Sequence, residues 1–449
     1  MKASGSLSGP VARVPVQFYD LPVGHISVED DGSLGFLYDP EWVVTQSAFP
    51  LSQTMPLGHR VYGTEVISPW IANLLPEEDQ LRVLTRSLGL DQSDSLAVLV
   101  QIGGDTAGAL SFGSPDPDKT PSYVPLTEFY GTDDPQIALL AHFDDLGRRP
   151  FLVGEDGVRQ SLAGGQKKTA LAVLDKGGMP VYRLPERADQ LAIPRDGAPS
   201  TVILKPDNPN LPGIVENEAF CLRLAAAIGI SAASTTILKT GDRNALCSLR
   251  YDRRIARGAR IVRVHQEDFA QANGIPPGRK YERGTFPGLS LRGILATDRS
   301  LPPGDALELI DQVIFNILVA NTDAHAKNYS ILYHLGAEPQ LAPLYDVSTV
   351  LPWTHVNQFH AQNLAGRKRR PGDIAARHWD VIAADQGYRP ADIRSRVQQL
   401  VDRIVARKIA VTEEVSTFEG AFAGYVIQAA DLIEKNALRI AGRLREQDI

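Results

Sequence analysis

The sequence predicts an α+β protein in which a β-rich half precedes an α-rich half, with a small mixed unit in front of both. Three observations carry this expectation. Short β-branched and apolar runs bounded by turn residues recur between residues 157 and 251. From about residue 256 the apolar period changes to three- and four-residue steps, as along Leu309, Val313, Ile317 and Ala320. A chain of 449 residues is also too long for one small core, so two or three units are expected.

The first unit is expected over residues 1–112, with strand-like alternation at 25–28 and 34–38 and helical patterns at 69–75 and 77–88. Residues 113–121 are rich in Pro and Asp and read as a linker. The second unit, 122–255, is expected to be β-rich. Residues 157–162 read as a strand running into a loop, 169–174 as a second strand, 175–178 as a hairpin turn and 181–184 as the returning strand. A β-branched run over 201–205 ends in Lys205, and 215–228 is helical by period with Gly229 as its C-cap. Residues 245–251 are a further strand. The third unit, 256–449, is expected to be all helical. Its clearest helix is 305–319, followed by a stripe at Ile393, Val397, Leu400 and Ile404 and a last helix over 422–444. The Gly- and Pro-rich stretch 274–289 is a long loop.

Composition narrows the class. An apolar fraction of 43% and a charged fraction of 22% are ordinary for a globular enzyme. A formal net charge of −7 argues against a free-standing nucleic-acid binder. Cys221 and Cys247 sit in apolar surroundings with no zinc or disulfide spacing, which suits a reducing compartment. The N-terminus is small and polar without a secretory apolar core, and no apolar run approaches a membrane span. The expectation is a cytoplasmic protein without membrane attachment.

Four elements carry chemistry. Ser161-Leu162-Ala163-Gly164-Gly165-Gln166-Lys167-Lys168-Thr169 is a glycine loop between two expected strands, where backbone N–H groups can meet phosphates. It is not a Walker A loop, because G-x-x-x-x-G-K-[ST] is absent. Lys205 closes an apolar strand, and the following helix offers Glu216 and Glu218 as carboxylate partners, with Glu218 preferred. An exposed acidic first turn would explain Glu216 equally well. Asp323 and Asn328 have four residues between them and follow an apolar helix, the spacing of a phosphoryl-transfer loop in which the Asp takes the acceptor's proton and the Asn holds Mg²⁺. His325 and Lys327 lie between them. Asp346, in Leu344-Tyr345-Asp346-Val347-Ser348, is a second metal carboxylate; the DFG form is missing. Each motif alone has a plain alternative: a hairpin, a snorkelling lysine, a polar loop, a capped turn. Together, in this order, they give the layout of a two-lobed, protein-kinase-like fold.

Other features have structural readings. Gly103-Gly104-Asp105-Thr106-Ala107-Gly108-Ala109 looks phosphate-friendly but lacks a basic residue, and is expected to be a structural turn. His59, His142 and His334 match no metal spacing, and no G-x-S-x-G elbow exists. Arg367-Lys368-Arg369-Arg370 is the strongest basic cluster, either a solvated loop or a contact for nucleic-acid phosphate.

The combination S-x-A-G-x-Q-x-K-T-A-L from Ser161 and T-D-x-H-A-K-N from Thr322 resembles the HipA family, serine/threonine kinase toxins of bacterial HipBA-type toxin–antitoxin pairs. The resemblance extends to Asn73-Leu74-Leu75-Pro76, Ile203-Leu204-Lys205, Glu218, Arg250-Tyr251-Asp252-Arg253-Arg254, Gln266-Glu267-Asp268 and Tyr345-Asp346. It implies a kinase-like fold with a small N-terminal subdomain, and use of ATP and Mg²⁺. It implies Asp323 as the catalytic Asp, with His325 in the same loop, and Asn328 and Asp346 as metal ligands. Lys205 would contact the ATP phosphates, residues Ala163, Gly164, Gly165, Gln166, Lys167 and Lys168 would line them, and Leu249, Arg250 and Tyr251 would form the adenine hinge. Ser161 matches the family's autophosphorylated serine. The family's partner is a HipB-like helix-turn-helix antitoxin that carries the kinase onto operator DNA. Its targets include aminoacyl-tRNA synthetases, glutamyl-tRNA synthetase first. Family members also carry a basic loop at Arg367 to Arg370, which favours DNA contact within the complex. Lys167, Gly165 and Leu249 depart from the best-known members. A small-molecule kinase and a weakly catalytic co-repressor are the alternative functions.

Overall fold

The computed structural model describes residues 12–114, 118–283, 285–297 and 301–445. The polar N-terminus (residues 1–6) lies outside them, as do residues 115–117 of the expected linker and residue 284 of the long loop. Among the described residues, no helix is long and apolar enough to cross a membrane.

The first module is a five-stranded antiparallel sheet with helices packed on it. β1 (Ala12–Phe18), β2 (Leu21–Val28) and β3 (Leu34–Tyr38) form a meander, extended by β4 (Tyr62–Gly63) beside β3 and β5 (Leu110–Phe112) beside β1. Period-two alternation turns Val16 with Phe18, and Phe36 with Tyr38, into the core. α1 (Pro40–Val44), α2 (Thr64–Ala72), α3 (Glu78–Leu88) and α4 (Ser95–Ile102) bring Trp42, Trp70, Leu84 and Leu99 to the same core. The helix expected at 69–75 begins earlier, and Pro69 lies inside it. Asn73 is its C-cap, so residues 73–77 form an irregular connection between α2 and α3.

The second module is a sheet ordered β11-β12-β10-β7-β9-β6, with β8 on the side of β7. Its elements are β6 (Ser122–Pro125), α5 (Leu126–Tyr130), α6 (Pro135–Leu146), β7 (Thr169–Leu174), β8 (Pro180–Val181), β9 (Gln190–Arg195), β10 (Val202–Pro206), α7 (Ile214–Ala227), β11 (Thr235–Thr240) and β12 (Arg243–Leu249). β7 is central and buried along its whole length, which its continuous apolar sequence requires. In β10, Val202 and Leu204 join the core under α6, while Ile203 and Lys205 face the opposite side. Residues 157–162 do not form the expected strand. Gly157 adopts φ +72°, and only Gln160 bridges, to Asp105 of the first module. The apolar character of Val158 and Leu162 reflects burial by tertiary packing.

The C-terminal part is mainly helical: α8 (Phe269–Ala272), α9 (Leu291–Ala296), α10 (Pro303–Leu318), α11 (Ala376–Asp385), α12 (Pro390–Ser416) and α13 (Ala423–Arg443). α10 is buried from Leu309 to Leu318, and the α12 stripe at Ile393, Val397, Leu400 and Ile404 is buried as its period predicts. α12 and α13 pack against each other and against α7. The expectation of an all-helical part needs correction. A hairpin of β13 (Arg253–Ile255) and β14 (Ile261–Arg263) spans its start, and β15 (His265–Asp268), β16 (Ser330–Tyr333) and β17 (Gln340–Leu341) form a small sheet within it. These strands are too short to show a period in the sequence.

The modules are joined by a buried charge cluster. Asp105, in the turn after α4, meets Arg253 at 2.7 Å, Arg263 at 3.0 Å and Arg250 at 3.6 Å, and accepts from the Ser200 hydroxyl at 2.6 Å. Asp252 adds a second carboxylate, 2.6 Å from Arg250 and 3.0 Å from Arg253. Burial alone would raise the Asp105 carboxyl, but the guanidiniums of Arg253, Arg263 and Arg250 more than reverse this and hold it well below the ordinary range. Asp105→Ala would leave these cations short of a buried counter-charge, so urea unfolding should show a loss of about 3–5 kcal/mol. A loss below about 1 kcal/mol, the worth of an exposed pair, would mean that the cluster does not hold the modules together.

A second junction has the opposite pH behaviour. Glu267 on β15 is fully buried and accepts from the Gln53 backbone N–H at 2.9 Å and from the Tyr333 hydroxyl. Burial pushes its carboxyl from an ordinary 4.5 up to about 7. As pH rises, the unfolded chain ionises there first, so this stabilisation is full below about 4.5 and is lost by about 7. The melting temperature of the wild type should therefore fall relative to Glu267→Gln across that window. Parallel curves for the two proteins from pH 4.5 to 8 would refute the assignment.

Candidate functional site: a cleft between sheet and helices

One cleft collects residues from all three parts of the chain: Asn73, Leu74 and Ala107 of the first module, Leu162 to Gln166, Lys168, Ile203, Lys205, Glu218 and Ser248 to Asp252 of the second, and Lys280, Asp323, His325, Lys327, Asn328, Tyr345 and Asp346 of the third. Its lining is mixed: Ala107, Ile203 and Tyr251 bring apolar or aromatic surface, and Lys168, Lys205 and Lys280 bring cationic charge together with the glycine loop. Such a lining suits a ligand that combines a flat apolar part with a polyanionic one.

Lys205 is the electrostatic hub. Its ammonium lies 2.7 Å from Glu218 of α7 and 2.7 Å from Asp346. Burial opposes its charge, but Asp346 and Glu218 outweigh that and keep it protonated. Lys205 and then Lys168 likewise hold Asp346 ionised against burial. Glu218 is thus the carboxylate that meets Lys205. Glu216 instead accepts from Asn244 at 3.0 Å and from the Phe422 N–H at 3.2 Å, where α13 begins.

The glycine loop is shaped by Gly164 and Lys168. Gly164 has φ +101°, and a Cβ there would stand 2.9 Å from the Lys168 ammonium. A side chain at this position meets backbone strain and would displace the Lys168 ammonium. Lys168 donates to the Ala163 carbonyl at 2.6 Å, and burial pulls its pKa down to about 8. Lys167 does not join it: its side chain is exposed, with the ammonium beside Gly147 after α6. Ser161 is fully buried, its hydroxyl donating to the Leu74 carbonyl at 2.6 Å.

The polar loop after α10 is a braced structure. Ala320 turns the chain at φ +60°. Asn321 accepts from the Asp323 N–H at 3.1 Å, and Asn328 donates to the Asp323 carbonyl at 2.9 Å. Lys327 is committed to the loop's support, at 2.8 Å from Asn73 Oδ1 and 2.9 Å from Asp268. Burial pushes the Asp323 carboxyl up to about 6, while the hydrogen bond that Tyr281 donates to it, 2.6 Å long, acts in the opposite direction. His325 is buried against Tyr281, and burial with nearby Lys280 lowers it to about 3, so the ring is neutral. Asp346 adopts φ +57° next to Tyr345, whose hydroxyl donates to the Lys327 carbonyl at 2.7 Å and so ties the two polar loops together.

Asn328 and Asp346 therefore share the cleft with a hard-oxygen donor set, which could hold Mg²⁺ beside a nucleotide polyphosphate. Arg250 contributes to the cleft wall, but its guanidinium is turned into the cluster with Asp252 and Ser200. The basic run lies elsewhere: Arg369 donates to the Leu364 carbonyl at 2.8 Å, Arg370 stacks on Phe359, and Arg367 and Lys368 are exposed. Sequence reasoning did not pick out Asn73, Ala107, Lys280 and Tyr281 for this site. Only the resemblance at Asn73-Leu74-Leu75-Pro76 pointed near it.

The hub makes a direct test. Lys205→Met would leave Glu218 buried without a counter-charge and should cost about 3–5 kcal/mol. Adding Glu218→Gln should recover most of that loss. Additive effects of the two changes in chemical denaturation would show that the pair is not coupled.

A family model described as the HipA-like C-terminal domain matches residues 160–408, and one described as the HipA N-terminal domain matches residues 14–113. Y4mE of Sinorhizobium fredii, named as a kinase, is 34% identical over 395 residues, covering 88% of this chain and 90% of that protein. The serine/threonine-protein kinase toxin HipA of Shewanella oneidensis is 31% identical over 345 residues, covering 74% and 73%. The solved structure of Shewanella oneidensis HipA with HipB and its operator DNA matches with a TM-score of 0.78 at 25% identity, covering 97% of this chain and 100% of that one. With both domains matched in order and the fold shared along nearly the whole length, the chain belongs to the HipA family of kinases.

Proposed function

We propose that this chain is an ATP- and Mg²⁺-dependent serine/threonine protein kinase toxin, restrained by a HipB-like helix-turn-helix antitoxin. The observation that carries the reading is the convergence of the Lys205–Glu218 pair, the glycine loop, Asp323, Asn328 and Asp346 in one cleft. The stretch Leu249, Arg250 and Tyr251 would meet the adenine largely through its backbone, with Ile203 as apolar surface beside it. Lys168 and Lys205 would neutralise the phosphates, with Glu218 orienting Lys205. Asn328 and Asp346 would hold Mg²⁺, which when bound would supply positive charge against the transferring phosphoryl group.

Asp323 would accept the proton of the acceptor hydroxyl. A carboxyl raised to about 6 by burial is a better proton acceptor than an exposed one while still ionised near neutrality. The Tyr281 hydroxyl now donates to the atom that an incoming Ser or Thr hydroxyl would use, so the loop carrying it must give way or share the carboxylate. Neutral His325 would shape this loop rather than add charge.

Ser161 is the proposed autophosphorylation site. Its buried hydroxyl has no room for a phosphate of about two negative charges at its present position. Phosphorylation would hold the glycine loop out of the cleft and switch the kinase off. The proposed target class is an aminoacyl-tRNA synthetase, such as glutamyl-tRNA synthetase, with inhibition of translation as the result. Arg367, Lys368, Arg369 and Arg370 are proposed to meet operator DNA phosphates, but only within the antitoxin complex.

Incubating the purified, initially unmodified chain with Mg-ATP beside Asp323→Asn tests this reading by intact mass and phosphopeptide analysis. One phosphate on Ser161 is expected in the wild type, with the rate in the variant reduced by about 10²–10⁴-fold or more. Absence of phosphate in both proteins, and of transfer to a synthetase, would favour a small-molecule kinase or a co-repressor.

A further inference from the structure

The glycine loop is not held by its own sheet alone. Residues 73–80, the connection from α2 into α3, run alongside it and contact it through Leu74, Pro76, Glu77 and Gln80. The Leu74 carbonyl accepts from the Ser161 hydroxyl at 2.6 Å. Pro76 bridges to Gly164, and the Glu77 N–H donates to the Gly164 carbonyl at 3.3 Å. The Gln80 side-chain amide, itself buried, donates to the carbonyls of Gly165 at 2.9 Å and Gln166 at 2.8 Å.

The direction of these bonds matters. In a trans peptide the carbonyl and the following N–H point opposite ways. Drawing the carbonyls of Gly164, Gly165 and Gln166 towards residues 73–80 turns the N–H groups of Gly165, Gln166 and Lys167 away from that segment. They are then available to an anion, which is what a phosphate-binding loop needs. The same segment also reaches the polar loop. Asn73 receives Lys327 at 2.8 Å through its side chain and at 2.9 Å through its carbonyl, and Glu77 pairs with Lys280 at 2.5 Å. One short stretch of the N-terminal domain therefore sets both the pose of the glycine loop and its distance from Asp323 and Asn328.

We propose that residues 73–80 are a structural part of the nucleotide site, and that Gln80 is the positioning residue that orients the glycine loop for ATP. This rests on the kinase reading above. It adds that the N-terminal domain is required for nucleotide binding, and that loop release must break the Gln80 bonds together with the Ser161–Leu74 bond.

The test uses the full chain with Gln80→Glu, Gln80→Ala and Gln80→Lys. Gln80→Glu keeps the size of the side chain but sets a carboxylate against two carbonyl oxygens. Gln80→Ala removes the donor, and Gln80→Lys restores one. Mg-ATP affinity is read by calorimetry, and amide hydrogen exchange across residues 161–168 is read without nucleotide. Gln80→Glu and Gln80→Ala should bind Mg-ATP about tenfold more weakly, as the loss of two neutral hydrogen bonds implies. They should also exchange faster across the loop, with Gln80→Lys returning both values towards wild type. Wild-type affinity and loop exchange in Gln80→Glu would overturn the proposal. Should the wild type itself bind no Mg-ATP, the kinase reading fails, while the exchange comparison still decides whether Gln80 holds the loop. Should Gln80→Ala fail to fold, Gln80→Glu and Gln80→Lys decide the outcome.

Discussion

The architecture depends on a buried ionic junction. Asp105 enters from the N-terminal module and meets guanidiniums supplied by the chain around β13 and β14, with Asp252 balancing them from the same stretch. A lone carboxylate in that interior would be costly, and so would the unpaired guanidiniums. Each module is therefore incomplete without the other. The N-terminal sheet and the larger sheet are docked in one arrangement because the charges compensate only there. Arg253 also donates to the Gly108 carbonyl at 3.1 Å and Arg250 to the Thr106 carbonyl at 2.8 Å, so the turn following Asp105 is locked in the same contact. Ala107, in that turn, is thereby placed on the cleft wall.

The cleft inherits its precision from this docking. Its polar and charged side chains come from elements far apart in sequence: the end of β10, the second turn of α7, the loop after α10 and the turn before Val347. Packing of α7 against α12 and α13 sets where Glu218 stands, and β10 sets where Lys205 stands. The salt bridges to Glu218 and Asp346 then hold the lysine charged in a site that burial would otherwise neutralise. Tyr345 and Lys327 carry the same logic to the polar loops, where a hydroxyl and an ammonium replace packing as the fasteners. The N-terminal module takes part directly through Asn73, Glu77 and Gln80. A small leading domain is thus built into the site it precedes.

Mobility is confined by the same contacts. The glycine loop lies against residues 73–80, and Tyr281 closes over Asp323 from the loop 274–289. Leu74 and Leu162 anchor the start of the glycine loop in the hydrophobic core, whereas the Ser161–Leu74 and Tyr281–Asp323 hydrogen bonds are polar contacts at its edge. Such contacts can be exchanged for a ligand's own hydrogen bonds at little net cost. The buried strands behind them, β7 and β10, are held on both sides by neighbours in the sheet. A paired sheet with exchangeable polar contacts over the cleft fits the nucleotide site proposed above.

The α+β class, the order of β-rich before helical parts, and the residues at the ends of regular elements were legible in the sequence. Lys205 was legible because it ends an apolar strand, and Asp323 and Asn328 because they follow the long stripe of α10. β7 and α12 were legible because continuous burial and a three-to-four period are written in one stretch of chain. Glu218 could be separated from Glu216 only as a preference, since both lie in the first two turns of α7; the fold decided it by turning Glu216 to Asn244. Residues 157–162 do not form the expected strand because Val158 packs into the core of its own module and Leu162 into the core shared with the first, rather than either being buried by sheet pairing. Lys167 and Lys168 were both expected to line the phosphates, yet only Lys168 turns inward. Asp105, Gln80 and Tyr281 carried no periodic signal at all, since each sits on irregular backbone or acts through a partner distant in the chain. Period and propensity are local properties, whereas the pairing of buried charges and the placement of loop carbonyls exist only once the modules have docked.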